Sequence, residues 1–166
     1  NLERTRRTLN LATLQVRESI RQLLDDAPRE RRLPALLHET VREVGGKYRV
    51  GIDWQAEAGA PVEASRETAE QIVNIARETL ENACRHAHAR AIGVRYGRQN
   101  GHGVVTITDD GCGFDPAVQA VQGNGHFGLR VMRARAAHIG GELQVVSAPG
   151  AGTSVTLLFP AEEPRR

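Results

Sequence analysis

The segment from about Ser65 to His86 constrains this chain more than any other. Ile72, Ile75, Ala76, Thr79, Leu80 and Ala83 recur at three- and four-residue spacing and share one broad face, the pattern of an amphipathic helix. Ser65 is positioned to cap its first turn, although Thr68 does not complete a capping box. A helix with one apolar face must lay it on another element. The rest of the chain supplies strands for that purpose.

Ala91–Tyr96 and Val104–Thr108 read as two strands around the turn Arg98-Gln99-Asn100-Gly101. Glu142–Ser147 and Thr153–Phe159 form a second pair, joined by Pro149-Gly150-Ala151-Gly152. Between the pairs runs a glycine-rich, weakly patterned stretch from Asp110 to about His126. A helix follows over Phe127–Ile139, closed by Gly140-Gly141. Upstream, Leu33–Val44 reads as a helix ended by Gly45-Gly46, Tyr48–Trp54 as a strand, and Glu57–Pro61 as a loop. Helices alternate irregularly with hairpins, which predicts an α+β fold rather than a regular βαβ array. The expected form is a two-layer α/β sandwich: a mixed, mostly antiparallel sheet with helices on one face.

A helical segment precedes this unit. Leu2, Leu9, Val16 and Leu23 recur every seven residues, with Ala12 and Ile20 on nearby turns. Such a seam packs against another helix, as a coiled coil or as an ordinary buried helix. Pro28 and Arg29–Arg32 mark its boundary. The expected organisation is therefore residues 1–28 as the helical region, 29–162 as the domain, and 163–166 as a solvated tail. The chain opens on Asn1 and is expected to be a piece of a longer protein.

Composition excludes several classes. With 166 residues, 40% apolar and 25% charged, the chain can bury a core without staples. A net charge of +2 gives no argument for nucleic acid, and none is expected as a partner. Cys84 and Cys112 are too few for a disulfide framework and fit a reducing compartment. No apolar run approaches the length of a membrane span. The single lysine, Lys47, precedes Tyr48, so a Gly-Lys-Ser/Thr phosphate loop is absent.

The chemistry begins on the long helix. Glu78, Asn82, Arg85 and His86 are spaced i, i+4, i+7 and i+8, which at about 100° per residue puts them on one stripe. Alone, that spacing describes a solvated polar face more readily than a site. A carboxylate, an amide and a cation in a row also suit a phosphate–magnesium ligand. Asp109-Asp110-Gly111-Cys112-Gly113-Phe114 follows a strand. An Asp there can accept from an exocyclic amine, and glycines two apart let backbone approach a ligand. Gly123 to Gly128 spells G-x-G-x-x-G but lacks the preceding buried strand of a dinucleotide site. Its glycines and the following helix N-terminus can instead meet phosphates. Gly152-Thr153 enters the last strand.

In this order the four elements resemble the N, G1 and G2 boxes and final Gly-Thr of the histidine-kinase ATP-binding domain, over about Glu67 to Phe159. That is the Bergerat-type fold shared with gyrase B, MutL and heat-shock chaperones. Arg77-Glu78-Thr79-Leu80-Glu81-Asn82-Ala83-Cys84-Arg85-His86-Ala87 is similar to the nitrate/nitrite-sensor group, in which Glu replaces the usual N-box His. Asp-Gly-Cys-Gly-Phe and Gly-His-Phe-Gly-Leu-Arg-Val-Met-Arg-Ala-Arg-Ala resemble that group too, and Leu14–Asp26 resembles its segment leading out of the dimerisation helices. Ala134 departs from the acidic residue of many relatives.

The resemblance implies ATP and Mg²⁺ as ligands, and roles for single residues. Asn82 would hold Mg²⁺, and Glu78 would position the metal's water or act as a weak base near the γ-phosphate. Arg85 would meet phosphate oxygens, and His86 would lie by the ribose or adenine. Asp109 would bind the adenine amine, with Gly111 and Gly113 giving close backbone approach. Gly125 and Gly128 would flank the ATP lid, with His126 inside it as a solvated residue or a phosphate contact, and Leu129 would be a further nucleotide-binding residue. Thr153 would back the adenine site.

The implied activity is transfer of the γ-phosphoryl group to a histidine on the dimerisation helices, within a homodimer, for relay to a response regulator. The domain would be cytoplasmic, its parent anchored in the bacterial inner membrane. His38 is rejected as the acceptor because only a short helix remains before Gly45-Gly46. It reads as a partly exposed helix residue, and Trp54 and Cys84 read as core. Cys84, His86 and His88 cannot converge on one zinc from a helix. The alternatives are a serine kinase of the anti-sigma type, on the same fold, and a non-catalytic nucleotide-binding or dimerisation module.

Overall fold

A computed structural model describes residues 32–57, 64–116 and 127–161. The heptad segment, Gly125, His126 and the tail lie outside these residues. The described elements are α1 (Arg32–Tyr48), β1 (Ile52–Ala56), α2 (Arg66–Asn82), a π-helical turn (Ala83–Ala87), β2 (Ile92–Gln99), β3 (His102–Asp109), α3 (Phe127–His138), β4 (Glu142–Ser147) and β5 (Thr153–Pro160).

The strands form one sheet in the order β1-β2-β3-β5-β4. β1 runs parallel to β2, and the remaining pairs are antiparallel. Ile92, Val94 and Tyr96 of β2, Val105 and Ile107 of β3, and Val155, Leu157 and Phe159 of β5 are buried. They alternate along their strands, so one sheet face is inward. Leu33, Leu37, Val41 and Val44 of α1, the apolar face of α2, and Met132 and Ala136 of α3 complete the core. The expected α/β sandwich with a mixed sheet is the fold observed.

Local chemistry explains several element ends. The Ser65 hydroxyl accepts the Thr68 N–H at 3.1 Å and caps α2. Asn100 and Gly101 have φ of 50° and 82°, the doubly left-handed turn that matches the twist of a tight hairpin. At the end of α3, Gly140 has φ 67°, and the Gly141 N–H reaches the Ala136 carbonyl at 2.8 Å, as in a Schellman cap.

Three expectations are corrected. Gly45-Gly46 does not end α1, which continues to Tyr48. The left-handed residue is Arg49, at φ 57°, and the Val50 N–H closes the helix on the Gly45 carbonyl at 3.0 Å. A Cβ on Gly45 would lie 3.0 Å from the Val50 carbonyl oxygen, so this glycine serves the returning chain. Tyr48 accordingly belongs to the helix, and the strand starts only at Ile52. The long helix is α-helical to Asn82 and then widens into the π turn, which ends at left-handed His88.

Trp54 is half-buried at the sheet edge, where its ring stacks on exposed His38 with centroids 5.6 Å apart. Cys84 packs half-buried against the core, and burial pushes its thiol pKa up.

Candidate nucleotide-binding site

The end of α2, the π turn, the loop after β3, the start of α3 and the paired strands β4 and β5 enclose a cleft of about 660 Å³. Glu78, Asn82 and His86 line it from the helical side. Asp109, Gly113 and Thr153 line it from the sheet side, and Gly128 and Leu129 from α3. Eight of the residues singled out by sequence therefore face one volume. Asn82 and Asp109 share it rather than lying on opposite sides.

Register accounts for the sheet wall. Asp109 pairs with Thr153 across β3 and β5, and Val145 pairs with Val155 across β4 and β5. Both valines line the cleft, so an apolar surface lies beside the carboxylate. An Asp carboxylate flanked by apolar walls is suited to a flat heterocycle with an exocyclic amine. Asp109 Oδ1 accepts the Gly111 N–H at 2.9 Å, which fixes the carboxylate at the strand end.

Thr79 and Met132 form part of the floor, with the Thr79 hydroxyl on the Ile75 carbonyl at 2.9 Å and on Met132 Sδ at 3.3 Å. On the polar wall, Asn82 Nδ2 donates to Glu78 Oε1 at 3.4 Å. The Asn82 amide oxygen has no protein donor among the described residues. It is a hard oxygen ligand, as Mg²⁺ requires. Among the described residues, no group of three or more His, Cys, Asp or Glu could hold a metal unaided. The donor set therefore fits an ion that arrives with phosphate and water oxygens.

The loop after β3 is fastened at several points. Asp110 accepts the backbone N–H groups of Arg90 at 2.7 Å and Ala91 at 2.8 Å. The Ala91 and Arg90 N–H groups hold the Asp110 carboxyl below its ordinary pKa. The Cys112 N–H donates to the Ala87 carbonyl at 2.7 Å. Gly111 is buried, and a Cβ there would fall on the backbone and side chain of Ala87. Gly113 has φ 59°, with the Ala148 carbonyl against the position of its missing Cβ.

Two site expectations are thus placed differently. Gly111 does not line the cleft, and its small size serves contact with the π turn. Arg85 does not line it either. Its Nε donates to the Tyr48 hydroxyl at 2.7 Å and its terminal nitrogen to Glu81 at 2.9 Å. The π turn changes the angular step after Asn82, so extrapolating an α-helical stripe to Arg85 fails.

Sequence reasoning missed Ser147. Its hydroxyl accepts the Phe114 N–H at 2.9 Å, donates to the Gly152 carbonyl at 3.0 Å and lies 3.1 Å from the Thr153 hydroxyl. It joins the glycine loop to the start of β5. Nothing in the local sequence distinguishes this serine. The cleft residues Cys112, Phe114 and Met132 lie inside the sequence motifs but carry no role there, and Val145 lies outside them.

Residues 67–163 match the family described as histidine kinase-, DNA gyrase B- and HSP90-like ATPase. The chain belongs to that family. An uncharacterized sensor-like histidine kinase of Chloroflexus aurantiacus is 39% identical over 94 residues, covering 55% of this chain and 16% of that protein. The nitrate/nitrite sensor protein NarX of Escherichia coli K12 is 29% identical over 165 residues, covering 98% of this chain and 26% of that protein. The solved blue-light activated histidine kinase of Erythrobacter litoralis EL346 superposes with a TM-score of 0.66 at 28% identity, over 78% of this chain and 42% of that one. This chain thus spans about a quarter or less of the two curated relatives and under half of the solved one. The domain is an ATP-binding catalytic domain of the sensor histidine kinase type.

Proposed function

We propose that this domain binds Mg·ATP in the 660 Å³ cleft and transfers the γ-phosphoryl group to a histidine ring nitrogen. The observation that carries this reading is the shared cleft of Asp109, Asn82 and Glu78. Asp109 accepts from the adenine amine, between the apolar wall of Val145 and Val155 and the floor of Met132. Asn82 offers its amide oxygen to Mg²⁺, which would neutralise phosphate charge. Thr153 lies behind the base, and His86 and Leu129 border the sugar and phosphates.

In the transfer, the bond between the β–γ bridging oxygen and the γ-phosphorus breaks, an N–P bond forms, and ADP leaves. Glu78 lines the cleft one helical turn from Asn82. It is available to orient the incoming group and take its proton. Phosphoryl transfer depends mainly on such positioning and charge neutralisation.

The acceptor histidine belongs to the dimerisation helices of the same kinase, of which residues 1–28 are the C-terminal end, with the catalytic domain spanning 29–162. Arg85, Gly111, Gly125 and His126 complete the family's nucleotide motif in sequence. The parent works as a homodimer anchored in the bacterial inner membrane, with this domain in the cytoplasm, and passes the phosphoryl group to a response regulator. Among the described residues, no helix is long and apolar enough to cross a membrane.

The test supplies the purified chain with γ-labelled ATP, Mg²⁺ and a separately expressed dimerisation domain. Label on that domain that is lost in acid but survives alkali supports phosphohistidine. Acid-stable label identifies the serine kinase alternative. Absence of nucleotide binding identifies the non-catalytic module.

A further inference from the structure

Ser147 does not line the cleft, but its hydroxyl touches two segments that do. A hydroxyl carries one proton and two lone pairs. The Ser147 proton goes to the Gly152 carbonyl at 3.0 Å, because a carbonyl can only accept. One lone pair accepts the Phe114 N–H at 2.9 Å. The remaining neighbour is the Thr153 hydroxyl at 3.1 Å. With the Ser147 proton already committed, Thr153 is the donor of this pair. Its own oxygen then has only lone pairs left for the cleft that it lines.

The same corner fastens the glycine loop. Ser147 ends β4 opposite Thr153 of β5, and Thr153 stands opposite Asp109 of β3. The turn between β4 and β5 sends the Gly150 N–H to the Cys112 carbonyl at 2.6 Å. A Cβ on Gly113 would lie against the Ala148 carbonyl and 2.8 Å from the Gly152 carbonyl oxygen. That second carbonyl is the one that takes the Ser147 proton. One hydroxyl therefore ties the end of β4 to the glycine loop and to the start of β5. A buried or half-buried polar network with every member satisfied specifies one arrangement.

We propose that Ser147 is a positioning residue for the base end of the nucleotide. It keeps the Thr153 hydroxyl turned so that it offers the cleft an acceptor, and it holds the Phe114 end of the glycine loop against β5. The group that faces Thr153 is then a donor, an N–H of the base or an O–H of a bound water. The inference rests on the nucleotide-binding reading of the cleft, but part of its test does not.

The experiment compares Ser147→Ala, Ser147→Cys, Ser147→Thr, Thr153→Val and the double variant Ser147→Ala/Thr153→Val. Binding of ADP and of ATP is measured by calorimetry, and hydrogen exchange of the Phe114 amide is followed without nucleotide. Ser147→Ala and Ser147→Cys are each expected to weaken ADP and ATP by one common factor, about threefold to tenfold, the scale of one lost hydrogen bond. Ser147→Thr keeps the hydroxyl and restores wild-type binding. In the Thr153→Val background, Ser147→Ala costs clearly less than it does alone, as coupled neighbours do. Phe114 amide protection falls in Ser147→Ala and Ser147→Cys and is kept in Ser147→Thr.

Full additivity of Ser147→Ala and Thr153→Val overturns the proposal, as does a folded Ser147→Thr that binds no better than Ser147→Ala. Unchanged Phe114 protection in Ser147→Ala and Ser147→Cys overturns it too, with no nucleotide needed. Failure of the wild type itself to bind ADP or ATP refutes the function proposed for the cleft and this inference with it, and so is distinct from those results.

Discussion

The Asn82 side-chain amide donates to the Glu78 carboxylate at 3.4 Å, one turn below it on the same helix. This long hydrogen bond orients the amide and leaves its oxygen for a cation. Two separable losses follow. At 100 times its dissociation constant, nucleotide adds about 2.7 kcal/mol of stability to a protein that binds it only when folded. Asn82→Ala is expected to retain the metal-free share of that shift and lose the increment that Mg²⁺ adds. Thermal unfolding with ATP, with and without Mg²⁺, reads both. Glu78→Gln should leave the Mg²⁺ increment in place while label transfer to the dimerisation domain falls.

Asp109 makes a different contribution. Its carboxylate faces the cleft beside Thr153 and accepts the Gly111 N–H. Asp109→Ala removes the acceptor proposed for the adenine amine and leaves the Gly111 donor without its partner, a loss of about 1–3 kcal/mol where the group stays desolvated. Binding of ADP and ATP should weaken equally, with or without Mg²⁺. GTP, whose base presents a carbonyl at the corresponding position, should bind the wild type much more weakly and gain nothing comparable from Asp109→Asn. Calorimetry with the three nucleotides checks this, and equal affinity of the wild type for ATP and GTP would remove Asp109 from the recognition role.

What could be read from the chain beforehand was local. The Ser65 cap, the Asn100-Gly101 hairpin and the Gly140-Gly141 helix end rest on residues a few positions apart, and each formed as its chemistry dictates. The cleft motifs were legible because their residue types and order are restrictive. Long-range causes were not legible. Gly45 is small because the Val50 carbonyl returns against it. β1 takes its place beside β2 through a parallel pairing across 40 positions, Ile52 to Ile92. Arg85 turns from the cleft because the helix widens after Asn82 and because Tyr48 and Glu81 await it. The Ser147 hydroxyl acquires its three neighbours only when β4, β5 and the glycine loop have met.

Gly111 and Gly128 should respond oppositely to alanine. At Gly111 the new methyl group would collide with the Ala87 backbone, which cannot step aside. Overpacking of this kind costs about 1–3 kcal/mol, and the melting temperature should fall in the absence of any ligand. At Gly128 the added Cβ would lie 2.9 Å from Glu78 Oε1, the far end of a side chain that can move. Alanine also favours the helical state over glycine by up to about 1 kcal/mol. Gly128→Ala should therefore keep or raise the melting temperature while displacing the Glu78 carboxylate and slowing phosphoryl transfer. Melting curves and a transfer assay on both variants separate the two effects.

Asp110 sets an acid-side limit on stability. Backbone N–H groups of Ala91 and Arg90 hold its carboxyl below the ordinary carboxylate range in the folded protein. The unfolded chain binds the proton more readily, so this contribution is complete above the ordinary carboxylate pKa. It is lost as pH falls through the lowered, folded value. Both N–H groups donate to Asp110 Oδ1, so Asp110→Asn keeps an oxygen acceptor for them but removes the charge and cannot titrate. The variant should be less stable than the wild type at neutral pH, and the gap between their melting temperatures should narrow steadily on acidification. A gap that stays constant from neutral pH into the acid range would show that the Asp110 charge does not hold this loop.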